Sequence, residues 1–521
     1  MMISEKEAWE TFKKSGKNLR KAAKTLDIPY STLKVKIWRI KKRLEAPTID
    51  PATSESKKAK LTCKKNVFAR YVITSAQNAT PVNKDFLNSI KTYCKENDAE
   101  LIIIPYRYKN PTSLWNQNNI DEDWWDSKVV PYLLDQRVKI EDVNLMIMGD
   151  VKIQPTATKP LTGFESFTDG YSAIYGHPRM QFKTVATSKK KLPKIISTTG
   201  SITEQNYTDS KAGKKGEHSH TFSALIVETN REDGVFHIRQ IEAEDNGAFI
   251  DLDKRYTERR ASKALPALAL ITGDTHAIFA DEAVINSTYL NEDSIVNILK
   301  PQNLVWHDLL DFYARNHHEV NNFVKTFSKH HTGYGNVENE VKQCFELVDR
   351  CTPLFANNVV VRSNHDEALD RWIKEADFKT DPENSIFYLK TTLAILENIC
   401  GNSIDPLEYW SNTFLKNRDK TRFLRRDEPF ALANIELSNH GDIGPNGSRG
   451  SINGFVKAGE KIVIGHSHSP AIEGDVYQTG LSAIYNLDYA RGYSSWLHTH
   501  CAIYANGKRS LINIINGKWK I

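Results

Sequence analysis

The chain has 521 residues, 40% of them hydrophobic, which is enough for two or three domains with apolar cores of their own. Its six cysteines are scattered without a C-x-x-C pair, which excludes a disulfide framework or a zinc ribbon and favours reduced thiols. The sequence has no apolar run of about 18 residues, and its N-terminus is charged from Glu5 onward. We therefore expect a cytoplasmic protein with no membrane partner.

The net charge of +6 is concentrated at the N-terminus. Residues 1–44 contain 13 Lys and Arg against 4 Asp and Glu, whereas the rest of the chain is close to neutral. A short segment with such an excess of cations favours a polyanion, such as a nucleic acid, as its partner.

Residues 1–45 predict a head of three short helices. Asn18 is a suitable N-cap for the second helix, and the Asp-Ile-Pro sequence at 27–29 ends it. Helix, tight turn and basic helix in this order resemble the helix-turn-helix module, which implies DNA as a partner. The side chains expected to contact DNA lie on the last helix and are Ser31, Thr32, Lys34, Lys36 and Arg39. The alternative is a helical oligomerisation or docking cap with a solvated basic face.

Two further segments follow this head. Residues 46–65 are rich in Pro, Ser, Thr and Lys, a composition typical of a flexible linker, with a root-mean-square reach of roughly 25 Å. Residues 66–260 then alternate strand and helix patterns, which predicts an α/β domain to which the sequence assigns no role. The strand patterns are at 70–74, 101–105, 143–148, 195–198, 224–227 and 235–241, and a helix pattern is at 85–94.

Five strand-like runs between residues 267 and 465 are each followed by Asp, Asn or His. The runs are 267–271, 303–306, 358–361, 433–437 and 461–465. The polar residues that follow them are Asp274 and His276, then Asp308, then Asn364, His365 and Asp366, then His440, and finally His466 and His468. Ligands of open α/β sheets bind at the carboxyl ends of strands, and carboxylate and imidazole groups are metal ligands. The five run ends together predict one metal site.

The order of these motifs resembles that of the calcineurin-like metallophosphoesterases, in which D-x-H, G-D, G-N-H-[DE], H and G-H-x-H follow one another. The resemblance covers about residues 262–515. It implies that residues 261–521 form a two-sheet metallophosphoesterase sandwich. The expected fold class is therefore α/β, with this sandwich preceded by the middle α/β domain and the N-terminal helix-turn-helix.

The resemblance also implies a centre of two divalent cations held by seven side chains. One cation would be held by Asp274, His276 and His468. The other would be held by Asn364, His440 and His466, and Asp308 would bridge the two. Mixed oxygen and nitrogen ligands without a thiolate favour Mn²⁺, with Fe, Zn²⁺ or Mg²⁺ as alternatives. Such a pair of cations clamps a phosphate ester and activates a water as nucleophile.

Three more residues receive roles from the resemblance. His365 is expected to protonate the leaving oxygen, and Asp366 is expected to orient that imidazole. Arg362 matches an arginine that contacts phosphate in the family, and its alternative is a salt bridge at the strand end. Arg449 lies in a loop after His440. It is expected either to contact the substrate or to be an ordinary surface residue.

Two positions depart from the family pattern. His307 precedes the bridging Asp308 where the family has glycine, and Ser363 precedes Asn364 where the family again has glycine. Each must avoid a positive φ or tolerate it at a cost. Should the second motif be shifted in register, His307 and Asp311 are the alternative ligands.

The core motifs predict a phosphoesterase, and the basic head favours DNA as its substrate because tethering raises the local substrate concentration. The whole chain is similar to phage-encoded metallophosphoesterases, in particular those of T-five-like bacteriophages. This similarity implies a DNase that degrades host DNA in the host cytoplasm. The alternatives are a phosphomonoesterase or protein phosphatase localised by its head, and a DNA-binding regulator with an inactive core. A homo-oligomer is compatible with each of them.

Overall fold

The structure is a computed structural model. It describes residues 5–30, 32–34, 36–37, 51–53, 67–111, 113, 115, 124–140, 143–188, 191–319, 322–399, 404–487 and 490–521. The expected DNA contacts Ser31 and Arg39 lie outside the described residues, and so does the predicted linker apart from residues 51–53.

The N-terminal head contains the helices Glu5–Lys14 and Leu19–Thr25, and residues 30, 32–34 and 36–37 are also helical. The Asn18 side chain accepts a hydrogen bond from the backbone N–H of Lys21 at 3.1 Å, as expected of an N-cap. The helices share a small apolar core made of Ala8, Phe12, Ala22, Ala23, Leu33 and Ile37. Thr32 and Lys34 are exposed and Lys36 is half-buried. The helix-turn-helix identity of this head and its DNA contacts stay predictions.

A four-stranded sheet follows, and its strands match the predicted pattern closely. In spatial order they are Val235–Glu242, Ser223–Asn230, Phe68–Gln77 and Ala99–Tyr106. The last two are parallel and are connected by the helix Lys84–Glu96, which begins at the N-cap Asn83. This is the strand–helix–strand unit that the alternation of patterns predicts.

A six-stranded sheet carries the first three predicted motifs. Its strands in spatial order are Thr421–Phe423, Asn357–Val360, Asn303–Trp306, Ala269–Ile271, Thr499–Ile503 and Arg509–Asn513. The first four are parallel to one another, and the last two are antiparallel to their neighbours. Because parallel strands end at the same edge, the segments after Ile271, Trp306 and Val360 leave the sheet side by side.

Both faces of this sheet are buried, which explains its continuous apolar runs. Side chains of a strand alternate between the two faces. Leu304 and Trp306 therefore belong to the core that includes Phe345 from the helix Val337–Cys351. Val305 belongs to the other core, to which the four-, six- and ten-stranded sheets all contribute.

A ten-stranded sheet crosses the boundary predicted at residue 261. Its strands in spatial order are Ala431–Leu432, Ile435–Glu436, Lys461–Ile464, Val476–Gln478, Ala471–Glu473, Gln181–Val185, Lys194–Thr198, Ser172–Tyr175, Leu145–Met148 and Arg137–Ile140. Ile472 lies opposite Phe182 at the junction. Both the sheet and the core therefore continue across the predicted boundary. The structure is a mixed α/β fold. The specific metallophosphoesterase sandwich stays a prediction.

The remaining elements cover these sheets. The helices are Lys211–Ser219, Glu282–Ile285, Ile295–Leu299, Phe323–His331, Val337–Cys351, Asp366–Glu375, Ser385–Glu397, Pro406–Phe414 and Ile452–Val456. The short strands are Pro51–Thr53 and Trp124–Asp126, which pair, and Phe249–Asp251, Lys254–Tyr256 and Ala261–Lys263, which form a small sheet. Within the described ranges, no helix has the length and apolar character needed to cross a membrane.

Candidate metal centre

Backbone hydrogen bonds bring the motif segments together at the edges of the six- and ten-stranded sheets. The N–H of His276 donates to the carbonyl of Asp308 at 2.7 Å, and the N–H of Thr275 donates to the carbonyl of His307 at 2.9 Å. On the other side, the N–H of Gly465 donates to the carbonyl of His440 at 2.7 Å. The positions of these loops are therefore fixed by the backbone and not by the side chains alone.

The backbone is left-handed at several of the predicted ligands. The φ angle is 42° at His276, 44° at Asp308, 73° at His466 and 58° at His468. This conformation costs a non-glycine residue about 1–3 kcal/mol and persists where the surrounding structure enforces it, which is common at functional sites. His307, by contrast, has its φ outside the left-handed region.

Ser363 likewise has its φ outside the left-handed region. At both positions where the predicted motif pattern has glycine, the chain thus avoids the strained conformation. A side chain at these two positions therefore requires no left-handed backbone.

The first group of candidate ligands contains His276, Asp308 and His468, and Asp274 lies against it. The Nε2 atoms of His276 and His468 are 3.1 Å apart, and His276 Nε2 is 3.7 Å from Asp308 Oδ2. Asp274 Oδ2 is 3.2 Å from His468 Nε2. All four side chains are buried. The structure thus brings together the complete set expected for the first cation, including the bridging carboxylate.

The second group contains Asp308, His440 and His466. Each offers a ligand atom within 4.8 Å of those of the other two, and His440 Nε2 is 3.2 Å from Asp308 Oδ2. Asp308 is therefore common to both groups, as a bridging carboxylate has to be. His440 is buried, whereas His466 is partly exposed.

The alternative ligands Asp311 and His307 contact the imidazoles of two predicted ligands. Asp311 Oδ1 accepts a hydrogen bond from Nδ1 of His276 at 2.7 Å. His307 Nδ1 lies 3.2 Å from Nδ1 of His440. These contacts leave the Nε2 atoms of His276 and His440 directed at Asp308, and hydrogen bonds of this kind fix the orientation of metal-binding imidazoles. His307 with Asp274 and His440, and Asp311 with His276 and His365, also form groups that could hold a metal ion, so both ligand registers stay predictions.

The buried carboxylates fit divalent cations. Oδ1 of Asp274 and Oδ1 of Asp308 are buried without a hydrogen bond from any described residue, and Oδ2 of Asp274 has the imidazole of His468 3.2 Å away. Burial of such oxygens costs several kcal/mol unless a partner compensates it. Gly465 provides room here, because a Cβ atom at this position would lie 2.4 Å from Asp274 Oδ1. Oxygen and imidazole donors without a thiolate are a set that Mn²⁺, Fe and Zn²⁺ accept.

Electrostatics keep the central carboxylates ionised. Burial alone would raise the pKa of Asp308, but the nearby imidazoles of His440 and His365 lower that pKa well below its usual value. Burial likewise opposes ionisation of Asp274, and His468 outweighs it so that the pKa of Asp274 is also lowered. Both side chains are thus in the charged form that a cation requires.

The expected seventh ligand, Asn364, lies on the wall of a cavity of about 780 Å³ that opens at this centre. His365 and His466 line the same cavity. Asn364 is exposed, so it is placed beside the second group and not within its buried part. Its coordination of a cation stays a prediction.

His365 lines the cavity as expected, but Asp366 does not orient it. The Nδ1 atom of His365 donates to the backbone carbonyl of Asp311 at 2.9 Å. Asp366 begins the helix Asp366–Glu375, and its carboxylate accepts hydrogen bonds from the N–H of Leu310 at 3.0 Å and the hydroxyl of Ser363 at 2.8 Å. The prediction for Asp366 is wrong because the start of this helix turns its side chain toward the loop.

The predicted phosphate contact of Arg362 is also wrong, and its alternative is the observed one. Its guanidinium donates to Asp370 at 2.5 Å and to Asp405, and it lies 3.6 Å from Glu367. Only 11% of the side chain is exposed. These hydrogen bonds use two of its five N–H donors, and the guanidinium lies beside three carboxylates and does not line the cavity, so Arg362 joins the strand end to neighbouring helices.

Comparison with known proteins identifies a relative. The chain is 33% identical over 461 residues to Protein A1 of Escherichia phage T5, a match that covers 86% of this chain and 82% of that protein. The chain belongs to the Protein A1 family. No family model and no solved structure matches it. The relationship indicates a phage-related function, and the chemistry has to be argued from the site.

The sequence patterns of this Protein A1 relative did not predict one arginine that lines the cavity. Arg491 lies on the wall together with Arg449, the exposed arginine for which the sequence left substrate contact open. Arg491 comes 23 residues after the last motif histidine, His468, and no local pattern marks it. Its position in the cavity results from the tertiary fold alone.

Proposed function

We propose that this protein is a metal-dependent deoxyribonuclease that hydrolyses phosphodiester bonds of DNA during phage-induced degradation of host DNA. The proposal rests chiefly on one observation. Five side chains expected as ligands, from segments as far apart as residues 276 and 468, lie in two overlapping groups that share Asp308, and a sixth, Asp274, lies 3.2 Å from His468. Buried Oδ1 atoms of Asp274 and Asp308 without a hydrogen bond from a described residue support cations at this place.

Two divalent cations, with Mn²⁺ the favoured metal, would stabilise the charge of the phosphate and lower the pKa of an attacking water. The residues proposed to hold them are Asp274, His276, Asp308, Asn364, His440, His466 and His468. Asp311 and His307 keep two of these imidazoles oriented.

His365 is the proposed general acid. Because its Nδ1 atom donates to the carbonyl of Asp311, Nε2 is the atom proposed for proton transfer. A protonated His365 on the cavity wall can donate that proton to the leaving oxygen of a phosphodiester. Asp311 therefore supports the reaction at two places, through its carboxylate on His276 and through its carbonyl on His365.

Arg449 and Arg491 are proposed to replace Arg362 in binding the substrate. Both line the cavity, and among the described residues neither forms an ion pair. Unpaired guanidinium groups on a cavity wall suit phosphates that flank the cleaved bond. Only a polynucleotide supplies such flanking phosphates, which favours DNA over a phosphomonoester. The basic N-terminal head is proposed to hold the same DNA nearby.

The experiment that tests this function is digestion of linear and closed circular DNA with purified protein and Mn²⁺. We expect both the loss of intact DNA and its prevention by EDTA. Asp308→Ala and His365→Ala should each reduce cleavage by at least about a hundredfold, the range of a lost general acid or metal ligand. Cleavage of closed circles would also establish endonuclease activity.

The matched controls are Asp209→Ala and His331→Ala, two exposed residues outside the cavity that should retain full activity. Intact DNA after hours with the unmodified protein and several divalent metals would contradict the proposal. So would turnover of a phosphomonoester far above that of a phosphodiester, which is the result expected of a phosphatase.

A further inference from the structure

The helix Ser385–Glu397 carries an apolar stripe on its outer face. The exposed fractions are 60% for Ile386, 44% for Leu389, 56% for Leu393 and 55% for Leu396. Large aliphatic side chains in one continuous row on a surface are uncommon unless another element covers them.

The opposite face of the same helix already attaches it to the protein. Phe387 stacks on Trp410 with ring centroids 4.5 Å apart, and the indole N–H of Trp410 donates to Thr391 at 2.9 Å. Ala394 is buried on this side as well. The outer stripe is therefore not needed to hold the helix in place, so its apolar character requires another explanation.

The spacing of the stripe is that of a helix-pairing seam. Ile386, Leu389, Leu393 and Leu396 are separated by three, four and three residues, which is the a and d pattern of a heptad. A seam of this kind packs against another helix that carries the same pattern. The helix itself is such a partner when it comes from a second copy of the chain.

The charges beside the stripe favour one orientation of that pair. Lys390 and Glu397 both occupy the e position, both are exposed, and within the described residues neither forms an ion pair. In an antiparallel pair with Leu389 opposite Leu393 of the second copy, e positions face each other. Lys390 then meets Glu397 of the second copy, and by symmetry this ion pair forms twice.

A parallel pair would not use these charges. There the e positions face g positions, which are Ser385 and Thr392 in this helix. The two charged residues would then meet hydroxyl groups. The pattern of charge thus distinguishes between the two orientations and selects the antiparallel one.

We propose that this chain forms a symmetric dimer in which the helix Ser385–Glu397 packs antiparallel against the same helix of a second copy. The contact is isologous, because the same face serves both partners. A 13-residue helix is about 20 Å long. The interface is correspondingly small, so the dimer is reversible and depends on protein concentration.

The first test measures mass against concentration by sedimentation equilibrium of the full chain. The unmodified protein should show a monomer–dimer equilibrium, and the double variant Leu389→Glu/Leu393→Glu should dissociate at least about tenfold more readily. Leu354→Glu is the matched control, because Leu354 is 90% exposed and lies outside the stripe. Circular dichroism of each variant verifies that it is folded. A monomeric unmodified protein at all concentrations would overturn the proposal.

The second test examines the orientation by charge reversal. Lys390→Glu and Glu397→Lys should each weaken the dimer, because each places like charges opposite one another. The double variant Lys390→Glu/Glu397→Lys should restore the dimer, and a mixture of the two single variants should form heterodimers. The antiparallel arrangement would be overturned if neither the double variant nor the mixture of single variants formed dimers as stable as those of the unmodified protein. Neither test depends on catalytic activity.

Discussion

Arg449 and Arg491 illustrate at the scale of single residues how partners decide what a side chain does. Arg362 stands next to the Asn-His-Asp motif, but three carboxylates occupy its guanidinium. Arg449 and Arg491 are distant from each other in sequence, line the same cavity and form no ion pair within the described part of the chain. The arginine side chains that line the cavity are therefore not the one nearest the motifs in the sequence.

This arrangement predicts the effect of removing the two arginines on DNA binding. Arg449→Ala/Arg491→Ala should weaken DNA binding and reduce the slope of log affinity against log salt by about two, since each lost phosphate contact contributes about one. Fluorescence anisotropy with labelled DNA measures this in an Asp308→Ala background, where cleavage does not interfere.

The matched control is Arg259→Ala, because Arg259 is exposed and does not line the cavity. It should leave both affinity and salt slope unchanged in the same background. An unchanged slope for the double arginine variant would show that neither residue contacts phosphate.

At the scale of elements, one glutamate joins a helix to the loop that lines the cavity. Glu340, in the helix Val337–Cys351, accepts hydrogen bonds from the backbone N–H of Tyr313 at 2.9 Å and of Ala314 at 2.8 Å. Burial, and then the charge of Asp311, raise the pKa of Glu340 from 4.5 to about 7. The attachment of this loop is therefore sensitive to pH.

The sign of this sensitivity follows from proton binding. Between the unfolded pKa of 4.5 and the folded pKa of about 7, the folded state binds more protons, so stability falls as pH rises through this window. The loss amounts to at most about 3 kcal/mol at 1.36 kcal/mol per pKa unit. The glutamine of Glu340→Gln cannot ionise. The free energy of unfolding of this variant minus that of the unmodified protein should therefore increase from pH 4.5 to pH 8.

Urea unfolding at several pH values, with a chelator present, measures this difference. Glu346→Gln is the matched control, because Glu346 is exposed on the same helix and its substitution should give a difference that is nearly constant with pH. A constant difference for Glu340→Gln would mean that Glu340 has an ordinary pKa.

At the scale of the whole molecule, the ten-stranded sheet unites two stretches that the sequence suggested as separate domains. Strands between residues 137 and 198 continue the sheet formed by strands between residues 431 and 478. Gln181 also donates a hydrogen bond to Glu473 across this junction. The loops that carry His440, His466 and His468 therefore rest on a sheet whose other half comes from the middle of the chain.

This continuity predicts cooperative unfolding across the predicted boundary. Phe182 is fully buried, and Phe182→Ala should cost about 3–5 kcal/mol. Calorimetry should show the transition that Mn²⁺ stabilises moving to lower temperature in this variant. Phe167→Ala is the control, because Phe167 is 48% exposed. Two transitions, of which only one shifts with Phe182→Ala while the other responds to Mn²⁺, would indicate independent domains.

Much of the fold was predictable because its signals are local. The strand patterns at 70–74, 101–105 and 195–198 are confirmed with small extensions, and so is the helix pattern at 85–94. The strands Ser172–Tyr175 and Gln181–Val185 were missed. They are short, and their burial depends on a sheet whose other strands lie far away in sequence.

The sequence by itself determined which side chains gather at the centre, because an apolar run that ends in Asp or His is encoded within a few residues. Only the tertiary structure decided which groups those side chains contact. Asp311 supports His365 in place of Asp366, and Arg362 is bound by carboxylates from other helices. The contacts of His365 with Asp311 and of Arg362 with Asp405 join residues 40 or more positions apart, and pairings over that distance leave no pattern in the local sequence.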